Sequence, residues 1–352
     1  MAANRPATEE RLAQIARLFP EGVPKLWCPP LTHYRADGTL DRLRMTKHLQ
    51  YMAPYVRGLL VPGSTGDGWE MDDDEQRDVL DLVLEIAAES RIHVLVGALR
   101  TDAEAERRAI VHTVERLKQR AGTDNASEAM AVAGVCGFTV CPPAGSDLSQ
   151  QEIHDRLAAI LELGLPTALY QLPQVTGNEM HPATVAELAG EFANFYLFKD
   201  SSGQDRVATS GLDFGGVCFV RGAEGDYGRW LDAAGGPYGA FLLSTANCFA
   251  PQLHQMIEHL ESGRVEEARA VIGPVQEAVA RMFPLVADLP DGNAFTNANK
   301  AVDHFLAHGP KALEIPPPRL HAGSRLPSEI MDATARTLTD CGLMPGRGYL
   351  ET

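Results

Sequence analysis

Lys199 closes an apolar run, Phe195-Tyr-Leu-Phe-Lys-Asp-Ser-Ser-Gly203, and is one of only six lysines in 352 residues. An amine brought partly out of water gives up its proton more readily. A neutral amine in a pocket adds to a carbonyl and forms a Schiff base. The alternative is a lysine that ends a strand and points to solvent, as most lysines do. Three other stretches carry groups that would complement such an amine. In Pro62-Gly-Ser-Thr-Gly-Asp-Gly68, glycines flank the hydroxyls of Ser64 and Thr65, and inward-turned N–H groups of such a loop can hold a carboxylate. In Tyr170-Gln-Leu-Pro-Gln-Val-Thr-Gly177, the phenol of Tyr170 is a candidate proton shuttle. Leu243-Ser-Thr-Ala-Asn247 places two hydroxyls and an amide after another apolar run. Each alone also reads as an ordinary turn or a core residue.

The elements that would position these residues alternate along the chain. Strand-like runs fall at 23–32, 58–62, 92–97, 135–141, 166–172, 195–199, 217–221 and 239–244. Helical patterns fall between them at 41–55, 72–88, 102–118 (N-cap candidate Thr101), 149–163 and 181–189, with shorter ones at 205–212 and 226–234. Residues 121–133 read as an irregular connection. Nearly continuous apolar strands are the mark of a parallel sheet buried on both faces, and eight βα units predict a (β/α)8 TIM barrel over residues 22–248. A doubly wound open sheet is the alternative, weakened by the lack of a G-x-G-x-x-G turn after the first strand. Residues 1–21 read as a helical N-terminal extension and 249–352 as a helical C-terminal region. In a barrel, active sites sit where strands end at their C-terminal side; Lys199, Tyr170, Ser64 and Thr65 all fall at such ends.

Composition excludes several classes. The formal charge of -16 argues against nucleic-acid and anionic-membrane partners. The six cysteines contain no C-x-x-C pair and mostly lie in apolar runs, so buried free thiols in a reducing, cytoplasmic compartment are expected. The first 20 residues lack an apolar signal-peptide core. No run of 18 apolar residues predicts a membrane span. For metals, Asp72-Asp-Asp-Glu75 reads as a helix start, and His254, Glu258 and His259 match no zinc-binding spacing. His33 and Tyr34 follow the first strand and are candidates for the barrel mouth, Trp69 for an aromatic wall or a subunit contact, and His93 for a core position.

In this order, Gly-Ser-Thr-Gly-Asp, Tyr-x-x-Pro-x-x-Thr-Gly, Phe-Lys-Asp-Ser-Ser-Gly and Gly-Ala-x-x-x-Ser-Thr-Ala-Asn resemble the dihydrodipicolinate synthase / N-acetylneuraminate lyase family over roughly residues 23–310. These are lysine Schiff-base aldolases and dehydratases acting on 2-oxo acids. The resemblance implies a barrel with C-terminal helices, typically a homotetramer, with no metal or organic cofactor. It implies Lys199 as the Schiff-base lysine, Tyr170 as the proton relay, Ser64 and Thr65 as the carboxylate-binding hydroxyl pair, Gly222 as a pocket glycine, and Lys300 as a recurrent lysine outside the pocket.

The departures narrow the activity. Where the synthase branch has a relay tyrosine after the fourth strand, Ala144 stands here; where it has an arginine for its aldehyde substrate's carboxylate, Val175 stands; and Gln171 replaces the usual asparagine or tyrosine. Loss of that arginine removes a charge-assisted contact, which argues against a true dihydrodipicolinate synthase. The Gly-Ser-Thr-Gly loop is nearer the lyase and sugar-acid branch. The expected activity is aldol cleavage or condensation, or dehydration, of a pyruvate-type, sugar-derived 2-oxo acid. Asp200 would point away from the pocket if its strand persists. The alternatives are a weakly catalytic or non-catalytic 2-oxo-acid-binding relative, acting as a sensor or structural protein, and a metal-dependent barrel hydrolase, for which the chain offers no ligand set.

Overall fold

The computed structural model describes residues 5–351. Eight strands, β1 (Leu26–Cys28), β2 (Gly58–Val61), β3 (His93–Gly97), β4 (Val135–Val140), β5 (Thr167–Gln171), β6 (Phe195–Asp200), β7 (Cys218–Arg221) and β8 (Ala240–Leu242), close into one barrel. Every pairing is parallel, and β8 returns to β1 through Leu26 opposite Phe241 and Trp27 opposite Leu242. That closure rules out the open sheet and explains why the strands are apolar throughout: one face meets the interior and the other meets helices. The interior is packed. Trp27, Leu60, Leu95, Ala168, Leu197 and Val220 fill its lower layer, and Tyr170 with Leu99, Cys141 and Leu172 fills part of the upper one.

The helices are α1 (Arg5–Leu18), α2 (Arg42–Met52), α3 (Asp73–Ser90), α4 (Ala103–Ala121), α5 (Ala126–Val132), α6 (Gln150–Leu161), α7 (Pro173–Thr176), α8 (Pro182–Glu191), α9 (Tyr227–Trp230), α10 (Ala246–Glu261), α11 (Val265–Val286), α12 (Ala294–His308) and α13 (Ser328–Asp340). The acids at 72–75 start α3 through a capping box between Asp72 and Glu75. Three local expectations are corrected. Asp102, not Thr101, caps α4, because its carboxylate accepts the Ala105 N–H at 2.8 Å. The connection at 121–133 contains α5, capped by Asn125. The helix expected at 205–212 does not form. Asp205 instead takes a left-handed conformation and a bidentate pair with Arg221, at 2.9 and 3.1 Å, with the Tyr238 hydroxyl also donating to it at 2.7 Å. That buried tertiary pair outweighs a weak, glycine-broken helical tendency.

The N- and C-terminal helices pack against different parts of the barrel. At the bottom, Phe19 packs edge-on to Trp27 and His93, and the buried guanidinium of Arg11, just upstream, donates to the carbonyls of Ala189, Phe192, Phe195 and Gly215. On the outer face of the β8–β1 side, α12 buries Asp303 against α2. Arg44 donates to one oxygen at 2.8 Å and the Tyr349 hydroxyl to the other at 2.9 Å. Burial alone would raise the Asp303 carboxyl, but His48, His33 and Arg44 together outweigh it and hold it well below the ordinary range. No described helix is long and apolar enough to cross a membrane.

Candidate active site

The β5–β6 register sets Tyr170 directly beside Lys199. Strand parity turns both side chains into the barrel, since Leu197, two residues before Lys199, belongs to the interior layer and Phe198 to the outer one. Lys199 is buried, and its Nζ lies over the Tyr170 ring, 3.7 Å from the centroid. A ring face attracts a cation by about 0.5–2 kcal/mol. Asp200 turns outward, as parity demands, where Oδ1 accepts the Ser202 N–H and hydroxyl; burial raises its carboxyl.

Across the mouth, Ser64 and Thr65 form a short 3-10 turn, both buried. The Trp69 indole N–H donates to Ser64 Oγ at 2.9 Å. The turn is held from behind by α12: Thr296 Oγ1 donates to the carbonyls of Ser64 (3.2 Å) and Thr65 (3.0 Å), and Asn293 Nδ2 to that of Ser64 (3.1 Å). Asp67, in a left-handed conformation just after the turn, accepts from Lys300 Nζ at 2.8 Å and from the Tyr34 hydroxyl at 3.0 Å. Lys300 thus lies behind the loop, outside the pocket. Tyr34 faces the same pair and not the mouth. His33 is turned further away, its Nε2 3.1 Å from Nδ1 of His48.

On the β6–β8 side, Gly222 follows β7. A Cβ there would stand 2.8 Å from Lys199 Cε and overlap Ser201 Oγ. Gly222→Ala is therefore expected to displace the lysine and lower kcat by about 100-fold, the scale of a 1 Å misplacement; steady-state kinetics beside an unchanged far-ultraviolet CD spectrum check this. Two residues on this site carry no mark in the motifs. Glu224 accepts the Ser244 hydroxyl (2.6 Å), the Thr245 hydroxyl (2.6 Å) and N–H (3.1 Å), and the Tyr227 hydroxyl (2.8 Å), which joins the β7 and β8 ends. Its place two residues past a strand-end glycine was the available signal. Glu106, on α4, is buried and accepts the Cys141 N–H at 3.1 Å; burial pushes its carboxyl well up.

Of the positions that depart from the resemblance, Val175 and Ala144 are exposed and Gln171 is buried. Val175 is 39% exposed on α7. Gln171 is spent on backbone, accepting the Met180 N–H at 2.7 Å. Asn178 donates to the carbonyls of Pro143 and Gly145 and so fixes the turn that carries Ala144.

For metals, the ligand atoms of His33, His48 and Asp303 lie within 4.8 Å of one another. Arg44 and Tyr349 already occupy the carboxylate, and His48 is bonded to His33 and to the Asn247 carbonyl. The guanidinium stands where a metal's charge would, so this trio does not suit a metal. A groove of about 330 Å³ between α3 and α4, lined by Arg77, Arg108 and His112 among others, lies outside the barrel and apart from Lys199.

Known proteins resemble the chain in both sequence and fold. An uncharacterized DapA-like lyase of Rhizobium meliloti is 31% identical over 171 residues, 48% of this chain and 51% of that protein, so the match spans about half the relative's length. A 4-hydroxy-tetrahydrodipicolinate synthase of Chelativorans sp. is 28% identical over 258 residues, 72% of this chain and 79% of that one. Among solved structures, a prophage protein of the dihydrodipicolinic acid synthase family from E. coli K12, in complex with pyruvate, superposes with TM-score 0.71 at 19% identity, covering 91% of this chain and 99% of that one. The dihydrodipicolinate synthase of Thermotoga maritima gives TM-score 0.69 at 20% identity, covering 91% and 99%. These two show the shared fold. Since residues 24–285, most of the chain and all eight strands, match the family model itself, the chain belongs to the dihydrodipicolinate synthetase family.

Proposed function

We propose that this chain is a lysine Schiff-base lyase acting on a pyruvate-type 2-oxo acid. The carrying observation is the Lys199 amine 3.7 Å from the centre of the Tyr170 ring. The pyruvate bound to the E. coli relative supports the same ligand class.

The Lys199 amine adds to the keto carbon, and water leaves as the iminium forms. The iminium accepts the electron pair of the C3–C4 bond in aldol cleavage, releasing an aldehyde and leaving an enamine. In dehydration, loss of a C3 proton gives the enamine, which expels the C4 hydroxyl as water. Tyr170, with Ser64, moves the proton to or from the reacting oxygen, the Ser64–Thr65 turn holds the carboxylate end, and Gly222 leaves room in the pocket beside Lys199. No step requires a metal or organic cofactor. Val175 and Ala144 argue against aspartate semialdehyde as the second substrate, and so against a dihydrodipicolinate synthase. A sugar-derived distal half is one reading; the polar face of Ser201, Glu224 and Ser244 favours it. The same fit to pyruvate would also serve a weakly catalytic binding protein. A cytoplasmic homotetramer is the assembly proposed, checked by light scattering.

Borohydride reduction in the presence of pyruvate tests the reading. Intact mass should rise by one reduced pyruvate, mapped to Lys199; no gain, or an adduct on another lysine, overturns it. Tyr170→Phe is expected to lower kcat by about 10²–10⁴-fold, the range for one general acid–base group, while the pyruvate adduct still forms. If the phenol only packs, kcat will hold.

A further inference from the structure

The Ser64–Gly66 turn is braced from behind by Asp67, and a hairpin of the C-terminal region packs over that brace. The hairpin, residues 319–325, lies beyond residues 24–285 that match the family model. Arg319 pairs antiparallel with Arg325, the Leu320 N–H donates to the Ser324 carbonyl at 2.8 Å, and Gly323 closes the turn with a φ of +106°. Leu320 and Leu326 are buried and anchor the two arms. The tip carries His321. Its Nε2 lies 3.1 Å from Glu75 Oε2, the oxygen that also accepts the Asp72 N–H at 3.0 Å where α3 starts. Its ring packs edge-on to Tyr34, with the centroids 5.7 Å apart. The Tyr34 hydroxyl in turn donates to Asp67, and the Tyr34 ring lies under Lys300 Nζ, 4.8 Å from the centroid. The hairpin also reaches the approach to α12: the Ser324 hydroxyl donates to Asp291 at 2.6 Å, two residues before Asn293, which holds the Ser64 carbonyl.

Resting on the Schiff-base reading, we propose that this hairpin is a proton-sensitive clip on the turn that binds the substrate carboxylate. His321 is its contact, Tyr34 is the positioning residue that carries its effect to Asp67, and the 2-oxo acid is held more tightly as pH falls. The groups that face His321 are mostly acids. Glu75 is bonded to it, and Asp67 lies just beyond Tyr34. Burial first and Asp67 second raise the Glu70 carboxyl, and the charges of His321 and Lys300 oppose that rise. The cations nearby are already engaged. Lys300 pairs with Asp67, and Arg319 donates to the carbonyls of Leu320 and His321. A neutral imidazole gives Glu75 a hydrogen bond, and an imidazolium adds the attraction of opposite charges. Histidine changes charge between about pH 5 and pH 8. The contact is therefore strongest below that change and weakens as pH rises through it.

Borohydride trapping on Lys199 across a pyruvate titration, at about pH 5.5 and about pH 8, brackets the histidine's charge change and tests this. Wild type and His321→Gln are compared at each pH, so that the pH dependence of imine formation and reduction cancels. At the lower pH, wild type should half-saturate at about two- to fivefold less pyruvate than His321→Gln, the scale of a partly exposed ion pair. At the higher pH the two should coincide, because glutamine, like neutral imidazole, still donates to Glu75. Maximal trapping and the thermal midpoint of His321→Gln should match wild type. Glu75→Gln should behave as His321→Gln does, while glutamine keeps the capping box that starts α3. Tyr34→Phe keeps the ring against His321 but loses the bond to Asp67. It should weaken pyruvate binding at both pH values and erase the difference that His321→Gln makes. A wild-type to His321→Gln ratio that is the same at both pH values, or a His321 effect that persists in Tyr34→Phe, overturns the clip alone. Absence of any Lys199 adduct in the wild type overturns the Schiff-base reading and the clip with it.

Discussion

Lys199→Ala is expected to lower kcat/KM by about 10⁴-fold or more, at the top of the range for losing one catalytic group, and to remove the borohydride-trapped adduct. The reason is that the amine is consumed in bond formation. Without it there is no iminium to accept the electron pair of the breaking bond, and an electrostatic substitute does not replace a covalent electron sink. Lys199→Arg serves as the companion variant, keeping a cation over the Tyr170 ring without an amine that adds to ketones. If arginine restored turnover, charge and not nucleophilicity would be the lysine's contribution, and the Schiff-base reading would fall. The fold should tolerate either change, because Lys199 sits at the strand end above the packed interior layer.

The second large effect is expected far from the amine. Lys300 and Asp67 are both 1% exposed and 2.8 Å apart, so neither charge has water to turn to. Lys300→Met should destabilise the protein by about 3–5 kcal/mol, the cost of leaving one member of a buried pair alone. Asp67→Asn combined with Lys300→Met should recover much of that loss, because the pair's desolvation cost is removed with its attraction. Chemical denaturation of the wild type, both single variants and the double variant closes the cycle. The single variant should also lose affinity for pyruvate, since Asp67 follows the Ser64–Gly66 turn directly. Additive single effects would mean that the two side chains act independently, and the loop would then have to be held by Thr296 and Asn293 alone.

How much of this was legible beforehand can be judged residue by residue. The eight strands were readable because a strand buried on both faces must be apolar along its length, and that constraint is written locally. The inward direction of Tyr170 and Lys199 followed from strand parity once the strand ends were located. The helix at 205–212 was misjudged because its residues do have helical tendency, and the pair that defeats it, Asp205 with Arg221, joins positions 16 apart. Helix α5 was missed for the opposite reason. It is a single short element of 7 residues whose apolar contacts lie on α4 and β4, so little in its own pattern announces it.

The barrel and the order of its strand ends were legible in the residues alone, and so was the position of Lys199, Tyr170, Ser64 and Thr65 at the C-terminal ends of, or just after, β6, β5 and β2; the roles given to those four belong to the proposal. Each of these depends on apolar runs and side-chain alternation within a few residues. What surrounds them follows from contacts between distant parts of the chain. The bonds from α12 to the Ser64 loop join residues more than 220 positions apart, and the ring under the Lys199 amine comes from the neighbouring strand 29 positions earlier. Trp69 on Ser64, Glu224 across the β7 and β8 ends, and His33 drawn into the Asp303 cluster likewise follow from closure of the chain on itself. Contacts of that kind are set by packing and by the cost of leaving a buried polar group unpaired, and they leave no periodic trace in a single sequence.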